Sequence, residues 1–389
     1  MAKGDEKLAA IAGIGQTEFS KKSGRSELQL AAESIKKACD DAGIAPADVD
    51  GLITFTIDNS DEVGVTRALG MKEVKYISRI PQGGAASVAC LHHAVSAVLS
   101  GAADNVIVWR AMNERSQYRF GQPHVGGSLA VGGGTTFMEW CMPFGAQHPA
   151  CWEALIAQAY MTKYGVTNED YGRVSVVLRK HAATNPDAFF YDKPITLADH
   201  QASRWIVAPV IRLLDCCQES DGGCAMLITR LDRARDLKQP PVKIHASAYN
   251  FQFNHEIITD YYYGKDMTWL TYADGVRQKL KAQSGLEPKD TQVAMIYDNF
   301  TPQIFEQLEA FGYCKPGEAK DYIKAGNLEL DGKSPLSPNG GHIGEAYIHG
   351  LNLMTHGVRQ ARGTAVNQVK NVETVFLASG VSGAIIGKA

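Results

Sequence analysis

The sequence lacks the features that mark nucleic-acid-binding and membrane-spanning proteins. Its 39 Lys and Arg residues are outnumbered by 42 Asp and Glu residues, so no basic excess is present to neutralise phosphates. No apolar run reaches the roughly 20 residues that cross a bilayer. The polar segment at residues 1–7 is not typical of a signal peptide. We expect a cytoplasmic protein that binds neither nucleic acid nor a membrane.

Cysteine is present, but not in a pattern typical of metal binding or disulfides. The 8 cysteines contain no C-x-x-C pair, and adjacent residues such as Cys216 and Cys217 rarely bridge each other. A chain of 389 residues can bury a large core without cross-links. We therefore expect free thiols in a reducing compartment, any of which is a candidate nucleophile.

The common cofactor motifs are also missing. Gly13-Ile14-Gly15 begins like a dinucleotide fingerprint, but Glu18 stands where a third glycine is needed for close helix–strand packing. Neither a P-loop nor a G-x-S-x-G motif occurs. Three histidines spaced seven residues apart have only one nearby carboxylate, which favours packed histidines over a metal site: His342, His349 and His356. We expect no bound cofactor and no metal.

The sequence does contain a long-range repeat. An amphipathic helix that ends at Gly43 is followed by a proline turn and an apolar strand at residues 51–55. The same order recurs around Gly285, 242 residues downstream, with its strand at residues 293–297. The repeated order predicts a duplicated α/β unit.

A second pair of matching segments supports the duplication. Gly83-Gly84 and Gly340-Gly341 lie 257 residues apart, and each opens a predicted helix of small residues that leads to an apolar strand. Glycines at a helix N-terminus leave backbone N–H groups free for a ligand oxyanion. We place the first half at residues 1–235 and the second at 236–389, with a cap inserted into the first half at about 112–205.

The repeat and several local motifs resemble the thiolase superfamily, and within it the sterol-carrier-type thiolase-like proteins. Residues 220–225 resemble the S-D-G-A-A-A strand entry of that family, residues 297–301 its H-D-C-F-T motif and residues 337–341 its N-P-S-G-G motif. The likeness covers nearly the whole chain in the right order. It implies an α/β thiolase fold, in which two duplicated halves form a layered α-β-α-β-α core.

The chain departs from that family at the residues that carry its chemistry. The position of the nucleophilic cysteine falls at Gly83 or Gly84, and the second cysteine is replaced by Ala378. Tyr297 and Tyr347 stand where the family has two histidines. A protein that only binds acyl-CoA needs no polar groups there, whereas a phenol can donate or accept a proton. The substitutions therefore favour a changed reaction over a lost one.

This pattern resembles the steroid side-chain-cleaving aldolases of the superfamily, which belong to bacterial sterol catabolism. The resemblance implies a lyase that cleaves a β-hydroxyacyl-CoA by a retro-aldol reaction. The implied substrate is 17-hydroxy-3-oxo-pregn-4-ene-20-carboxyl-CoA, and the products are androst-4-ene-3,17-dione and propionyl-CoA. It also implies a homodimer that binds a small OB-fold partner with a zinc ribbon, supplied by a hydratase, in a heterotetramer.

By the same resemblance, Tyr297 is the base for the hydroxyl and Tyr347 the acid toward the enolate, although the sequence does not decide between the two directions. Backbone N–H groups near Gly84 and Gly380 are candidates for the oxyanion site. Four more residues are pocket candidates: Tyr249, His245, His255 and Asn299. Two alternatives stay open, a non-catalytic acyl-CoA or lipid-binding protein and a thiolase that uses a displaced thiol, either Cys90 or Cys217.

Overall fold

A computed structural model of the chain describes residues 7–81, 83–117, 119, 141–251 and 266–389. These residues form a nine-stranded sheet in the order β3-β2-β4-β7-β1-β8-β11-β10-β9, with a small two-stranded arm, β5-β6. The strands are β1 (Ala9–Gln16), β2 (Gly51–Phe55), β3 (Tyr76–Ile80), β4 (Val106–Asn113), β5 (Trp205–Val207), β6 (Ile211–Arg212), β7 (Asp221–Arg230), β8 (Val242–Tyr249), β9 (Val293–Ile296), β10 (Thr374–Ser379) and β11 (Ser382–Lys388).

The sheet repeats one topology on both sides of the β1–β8 pair, which joins the halves through Ala10 with Lys243 and Ile11 with Val242. On each side an antiparallel strand follows, β7 or β11, and then strands that pair in parallel, β4 with β2 and β10 with β9. Even β3 has a reduced counterpart, a single parallel bridge between Ala294 and Leu336. The predicted duplication is confirmed.

The helices complete five layers. They are α1 (Glu27–Ala42), α2 (Glu62–Leu69), α3 (Ser87–Ser100), α4 (Pro149–Tyr164), α5 (Asn168–Ala183), α6 (Leu197–Ala202), α7 (Leu231–Ala234), α8 (Thr271–Ser284), α9 (Thr301–Ala310), α10 (Ala319–Lys324), α11 (Gly341–Gly344) and α12 (Leu351–Arg362). Helix α1 packs outside the first half and α8 outside the second, while α3 and α12 contact strands of both halves. The predicted α-β-α-β-α layering is therefore confirmed.

Helix α3 is central because its residues are small and apolar. By length and composition, the segment Gly83–Ser100 would pass for a membrane span, but 56% of it is buried inside the fold. Ala89, Cys90 and Ala94 have no exposed surface and pack in the core shared by the two halves. Small side chains let a central helix approach both sheet halves closely.

The helix predicted to run on from Gly340-Gly341 is broken, which corrects the sequence-based expectation. Helix α11 is a single turn, and α12 begins only at Leu351. The residues between them include His349 (φ 47°) and Gly350 (φ 86°), whose left-handed backbone cannot continue an α-helix. The break places Tyr347 beside Tyr297, the residue that directly follows β9.

The division into two halves stays a prediction at the level of its boundaries. The predicted boundary at residues 235 and 236 falls in the connection between α7 and β8. The described part of the predicted cap, 112–205, contains α4, α5 and α6. Its glycine-rich stretch lies outside the described residues.

Candidate active site

The carboxyl ends of β4, β9 and β10 meet at one place in the fold, where α/β proteins usually bind ligands. Tyr297 directly follows β9, and its backbone N–H donates to the carbonyl of Ala378 on the neighbouring strand β10 (3.0 Å). Strand β9 is buried throughout, so the backbone that carries the Tyr297 side chain is held rigidly.

Two phenols form the centre of the site. The hydroxyl oxygens of Tyr297 and Tyr347 lie 2.6 Å apart, within hydrogen-bond distance, and the two rings meet edge to face with centroids 6.1 Å apart. Tyr297 is 4% exposed and Tyr347 8%. The structure thus brings together the two tyrosines that the sequence singled out across 50 residues.

Gly84 makes room for this pair. A Cβ at position 84 would lie 1.8 Å from the phenol oxygen of Tyr297 and 2.4 Å from its Cζ, closer than any real contact. A Cβ at Gly83 would instead meet Ile57 at 3.2 Å. Of the two candidate positions for a lost nucleophile, Gly84 is therefore the one that faces the reactive group. The phenol of Tyr297 occupies the space that a cysteine side chain at position 84 would need.

Tyr347 is held by the break between α11 and α12. Its backbone N–H donates to the Ser220 hydroxyl (3.2 Å), which lies just before β7. Two residues upstream, the buried carboxylate of Glu345 accepts from the side-chain amides of Asn185 (3.1 Å) and Asn352 (2.9 Å). These contacts fix a non-helical backbone from both sides, so the phenol has a defined position.

His342 packs against both phenols without acting as an acid at neutral pH. Its ring centroid lies 4.6 Å from that of Tyr297 and 5.1 Å from that of Tyr347. Burial lowers the pKa of His342 to about 3, so the imidazole is neutral.

No group of His, Cys, Asp or Glu side chains in the described part of the chain is arranged to hold a metal ion.

The glycine-opened turn α11 does not offer free N–H groups to a ligand, which corrects a second expectation. The backbone N–H groups of His342 and Ile343 donate to the carboxylate of Asp298 at 2.8 and 3.2 Å. Burial raises the pKa of Asp298 to about 7, with these two hydrogen bonds opposing the shift. The carboxylate that follows Tyr297 therefore fills the anion site at α11.

A cavity of about 330 Å³ opens beside the phenols. Tyr347 lines it, and the hydroxyl of Tyr297 is in hydrogen-bond contact with that of Tyr347. Its other walls are formed by Lys21, Glu114, Arg119, His148, Pro149, Ala150, Phe190, Arg204, Ile206, Leu213, Leu214, Cys216, Cys217, Gln218, Glu219, Asn299 and Phe300. One of the two phenol residues, Tyr347, is therefore part of the cavity wall, as a substrate pocket requires.

Glu114 is a residue of this cavity that the sequence analysis missed. It directly follows β4, is 3% exposed, and burial raises the pKa of its carboxyl well above the usual value. One signal could have found it, because a charged residue at the carboxyl end of a buried strand stands where α/β proteins place functional groups.

The thiols are poorly placed for nucleophilic chemistry. Cys90 is fully buried in α3, and burial raises its pKa. Cys217 lines the cavity, but burial and the neighbouring Glu114 raise the pKa of its thiol well above the ordinary value. Because the thiolate is the nucleophile, both residues argue against a displaced-cysteine thiolase.

The remaining predicted residues divide by position. Asn299 lines the cavity, is 7% exposed, and its Oδ1 has no hydrogen-bond partner among the described residues. Gly380 lies beside Ala85 near Gly84, but its N–H already points at the Oε1 of Gln307 (3.4 Å).

The structure does not bring the two β8 candidates into the cavity. Tyr249 ends β8 and packs edge-on against His93 of α3, with ring centroids 6.3 Å apart. The ring of His245 lies beside Gly387, at the far end of β11 from Gly380. Both side chains are half-buried and neither lines the cavity. His255 lies outside the described residues.

Comparisons with known proteins identify the family of the chain. Residues 258–388 match the thiolase C-terminal domain-like family. The chain is 50% identical to the steroid side-chain-cleaving aldolase of Thermomonospora curvata over 97% of each chain. It is also 50% identical to the 17-hydroxy-3-oxo-4-pregnene-20-carboxyl-CoA lyase of Mycobacterium tuberculosis, over 97% of this chain and 99% of the other.

Solved structures give the same result. The Ltp2-ChsH2(DUF35) aldolase superimposes with a TM-score of 0.91 at 49% identity, over 98% of each chain. The acetyl-CoA acetyltransferase of Syntrophomonas wolfei, at 15% identity and a TM-score of 0.67, shares the fold alone. The chain therefore belongs to the thiolase superfamily, in the family of the steroid side-chain-cleaving aldolases.

Proposed function

We propose that this protein is a lyase that cleaves 17-hydroxy-3-oxo-pregn-4-ene-20-carboxyl-CoA into androst-4-ene-3,17-dione and propionyl-CoA. The observation that carries the proposal is the pair of hydrogen-bonded phenols, Tyr297 and Tyr347, at the position of the missing thiolase machinery. The named activities of the two relatives at 50% identity support the same substrate class.

The proposed reaction needs one net proton transfer. The C17–C20 bond breaks, its electrons pass into the enolate of the thioester, and the C17 hydroxyl loses its proton as the ketone forms. The enolate then takes a proton at C20 and becomes propionyl-CoA. No acyl-enzyme forms, so the absence of a cysteine at position 84 is consistent with the chemistry.

The phenol pair can carry this proton even though neither phenol is ionised before the reaction. Burial raises the pKa of both phenols well above the ordinary value, so the resting pair is neutral. One phenol accepts the hydroxyl proton while passing its own proton to the other, and the second phenol protonates C20. The 2.6 Å separation of the hydroxyl oxygens suits such a relay. Either direction along the pair balances.

The experiment is the removal of each phenol oxygen. Tyr297→Phe and Tyr347→Phe should each lower kcat by about 10²–10⁴, the usual contribution of one positioned proton transfer. The matched control is Tyr313→Phe, which removes a buried phenol whose hydrogen bond goes to the Pro288 carbonyl (3.1 Å), outside the cavity. It should cleave normally.

Near-wild-type cleavage by both active-site variants would contradict the assignment. If the wild-type protein binds the thioester tightly and never cleaves it, the protein is a binding module instead. Isothermal titration with the intact substrate and analysis of the recovered thioester separate these outcomes.

We also propose that the protein works as a homodimer with a small OB-fold, zinc-ribbon partner in the cytoplasm. The name of the Ltp2-ChsH2(DUF35) aldolase, which contains a second component, supports a partner of this kind. Co-expression with such a protein, followed by light scattering, should give a heterotetramer. A stable, fully active species without the partner would contradict the proposal.

A further inference from the structure

The proposed relay leaves one buried acid of the cavity without a role. Glu114 lies in the same cavity wall as Tyr347, Asn299 and Cys217, at the carboxyl end of β4. The residue is 3% exposed. Burying a carboxyl group costs free energy unless the group is hydrogen-bonded or neutral. The buried position of Glu114 therefore needs an explanation.

Glu114 has room for one more hydrogen bond. Its carboxyl accepts from the Ser220 backbone, but Oε2 has no partner among the described residues. The nearby cations are engaged elsewhere: Lys21 donates to the Gln218 side chain (2.8 Å) and Arg119 pairs with Glu219 (2.6 Å). One carboxyl oxygen of Glu114 is thus buried in the cavity wall without a hydrogen-bond partner among the described residues.

The surroundings favour the protonated form of this carboxyl. Burial and the carboxylate of Glu219 raise the pKa of Glu114, while Arg110 and Lys21 oppose the shift. Arg110 is occupied by its buried pair with Asp58 (2.8 Å). The other titratable groups that act on or respond to Glu114 are the thiol of Cys217 and the two phenols, Tyr297 and Tyr347. None of these three carries a positive charge that would favour a carboxylate.

The retro-aldol reaction places demands on two oxygen atoms. The phenols serve the hydroxyl, but negative charge also develops on the thioester oxygen, which requires a hydrogen-bond donor. Of the three backbone sources named above, near Gly84, at Gly380 and at α11, two are already used, because the Gly380 N–H points at Gln307 and the α11 amides hold Asp298. A protonated carboxyl in an apolar setting is a strong donor to an enolate oxygen, as ketosteroid isomerase illustrates.

We propose that Glu114 is a catalytic residue, whose protonated carboxyl donates a hydrogen bond from its free oxygen to the thioester oxygen of the substrate. The inference rests on the proposed retro-aldol function, because it names the group that stabilises the enolate. It differs from a base role for Glu114, in which the carboxylate would accept the hydroxyl proton.

Two variants separate the donor from the base. Glu114→Gln keeps a hydrogen-bond donor of similar shape, so its kcat should stay within about tenfold of wild type, whereas Glu114→Leu should lose about 10²–10³, as for a deleted oxyanion donor. If Leu cleaves like wild type, Glu114 has no catalytic role. If Gln is as poor as Leu, the carboxyl acts as a base and the proposal is wrong.

The pH profile gives an independent readout. Ionisation turns the donor into an acceptor, so wild-type kcat should be high below the pKa of Glu114 and fall above it. Glu114→Gln should lack this alkaline limb. Glu219→Gln removes the carboxylate that raises the pKa of Glu114, so the fall of kcat at alkaline pH should begin at a lower pH in this variant. An unchanged limb in Glu114→Gln would assign the titration to another group.

A spectroscopic measurement tests the hydrogen bond without any cleavage. Propionyl-CoA labelled with carbon-13 at its carbonyl should show a lowered C=O stretch when bound to wild type or Glu114→Gln, and a smaller lowering with Glu114→Leu. Equal frequencies in all three would overturn the proposal even where the enzyme is active. A lowered frequency in a wild type that fails to cleave would instead support the donor and reject the proposed function.

Discussion

Replacing Gly84 with alanine should slow cleavage by about 10²-fold or more while leaving the protein folded. The new Cβ would lie 1.8 Å from the phenol oxygen of Tyr297, whereas real Cβ contacts essentially never fall below 3.0 Å. The phenol must therefore retreat by more than about 1 Å, and a misplacement of that size at a reacting group costs about 10²-fold in rate. The same shift breaks the 2.6 Å contact with Tyr347.

The stability cost of Gly84→Ala should be moderate. Overpacking of a well-packed interior costs about 1–3 kcal/mol, less than the total stability of a typical domain. The matched control is Gly101→Ala at the other end of α3, where φ is 77° and no atom lies within 4 Å of the added Cβ. Its left-handed backbone costs an alanine about 1–2 kcal/mol, far from the site.

Thermal unfolding and steady-state cleavage, measured on Gly84→Ala and Gly101→Ala, test this prediction. Both should unfold at similarly lowered temperatures, but only Gly84→Ala should lose activity. The double variant Gly84→Ala with Tyr297→Phe should regain part of the stability, because the closest clashing atom is gone, and stay inactive. Near-wild-type cleavage by Gly84→Ala would refute the account of the phenol pair.

Two further predictions concern the thiols and a buried acid. Cys217→Ala should retain cleavage, and iodoacetamide at pH 7 should inactivate slowly, because burial raises the pKa of the Cys217 thiol; rapid inactivation that the variant abolishes would revive a thiol mechanism. Burial raises the pKa of Glu153 to about 7 from 4.5, so wild type should lose stability as the pH rises between these values. Glu153→Gln should lack this loss and melt higher than wild type at pH 8; an equal or lower melting temperature there would contradict the argument.

The fold and the two central tyrosines were predictable because they depend on local patterns. The glycines at 43 and 285 close helices in matching positions, which predicts the duplicated α/β unit, and the resemblance to the thiolase superfamily implies the α-β-α-β-α layering. Tyr297 and Tyr347 each stand inside a short motif, so their positions could be matched without knowing the contacts. Their 2.6 Å separation is then a consequence of the fold.

Other parts of the site depend on contacts between distant segments and could not be predicted. Nothing in the local sequence shows that the carboxylate of Asp298 accepts hydrogen bonds from the backbone amides of α11. These hydrogen bonds occupy N–H groups that were expected to be free for a ligand oxyanion. The helix break around Tyr347 depends on side chains far along the sequence, such as Asn185 and Ser220. Glu114 had a local signal, because it directly follows a buried strand, but its place in the cavity depends on the contact between the end of β4 and the segment after Asp215.

The most direct test of the central claim is cleavage of the steroid thioester in D₂O. The intact protein, with and without its proposed OB-fold partner, is incubated with 17-hydroxy-3-oxo-pregn-4-ene-20-carboxyl-CoA, and the products are identified by mass spectrometry. A phenol relay fed by an exchanged hydroxyl proton predicts androst-4-ene-3,17-dione and propionyl-CoA with one deuterium at its α-carbon. Recovery of unchanged thioester under both conditions, or release of free CoA by hydrolysis, would contradict the account.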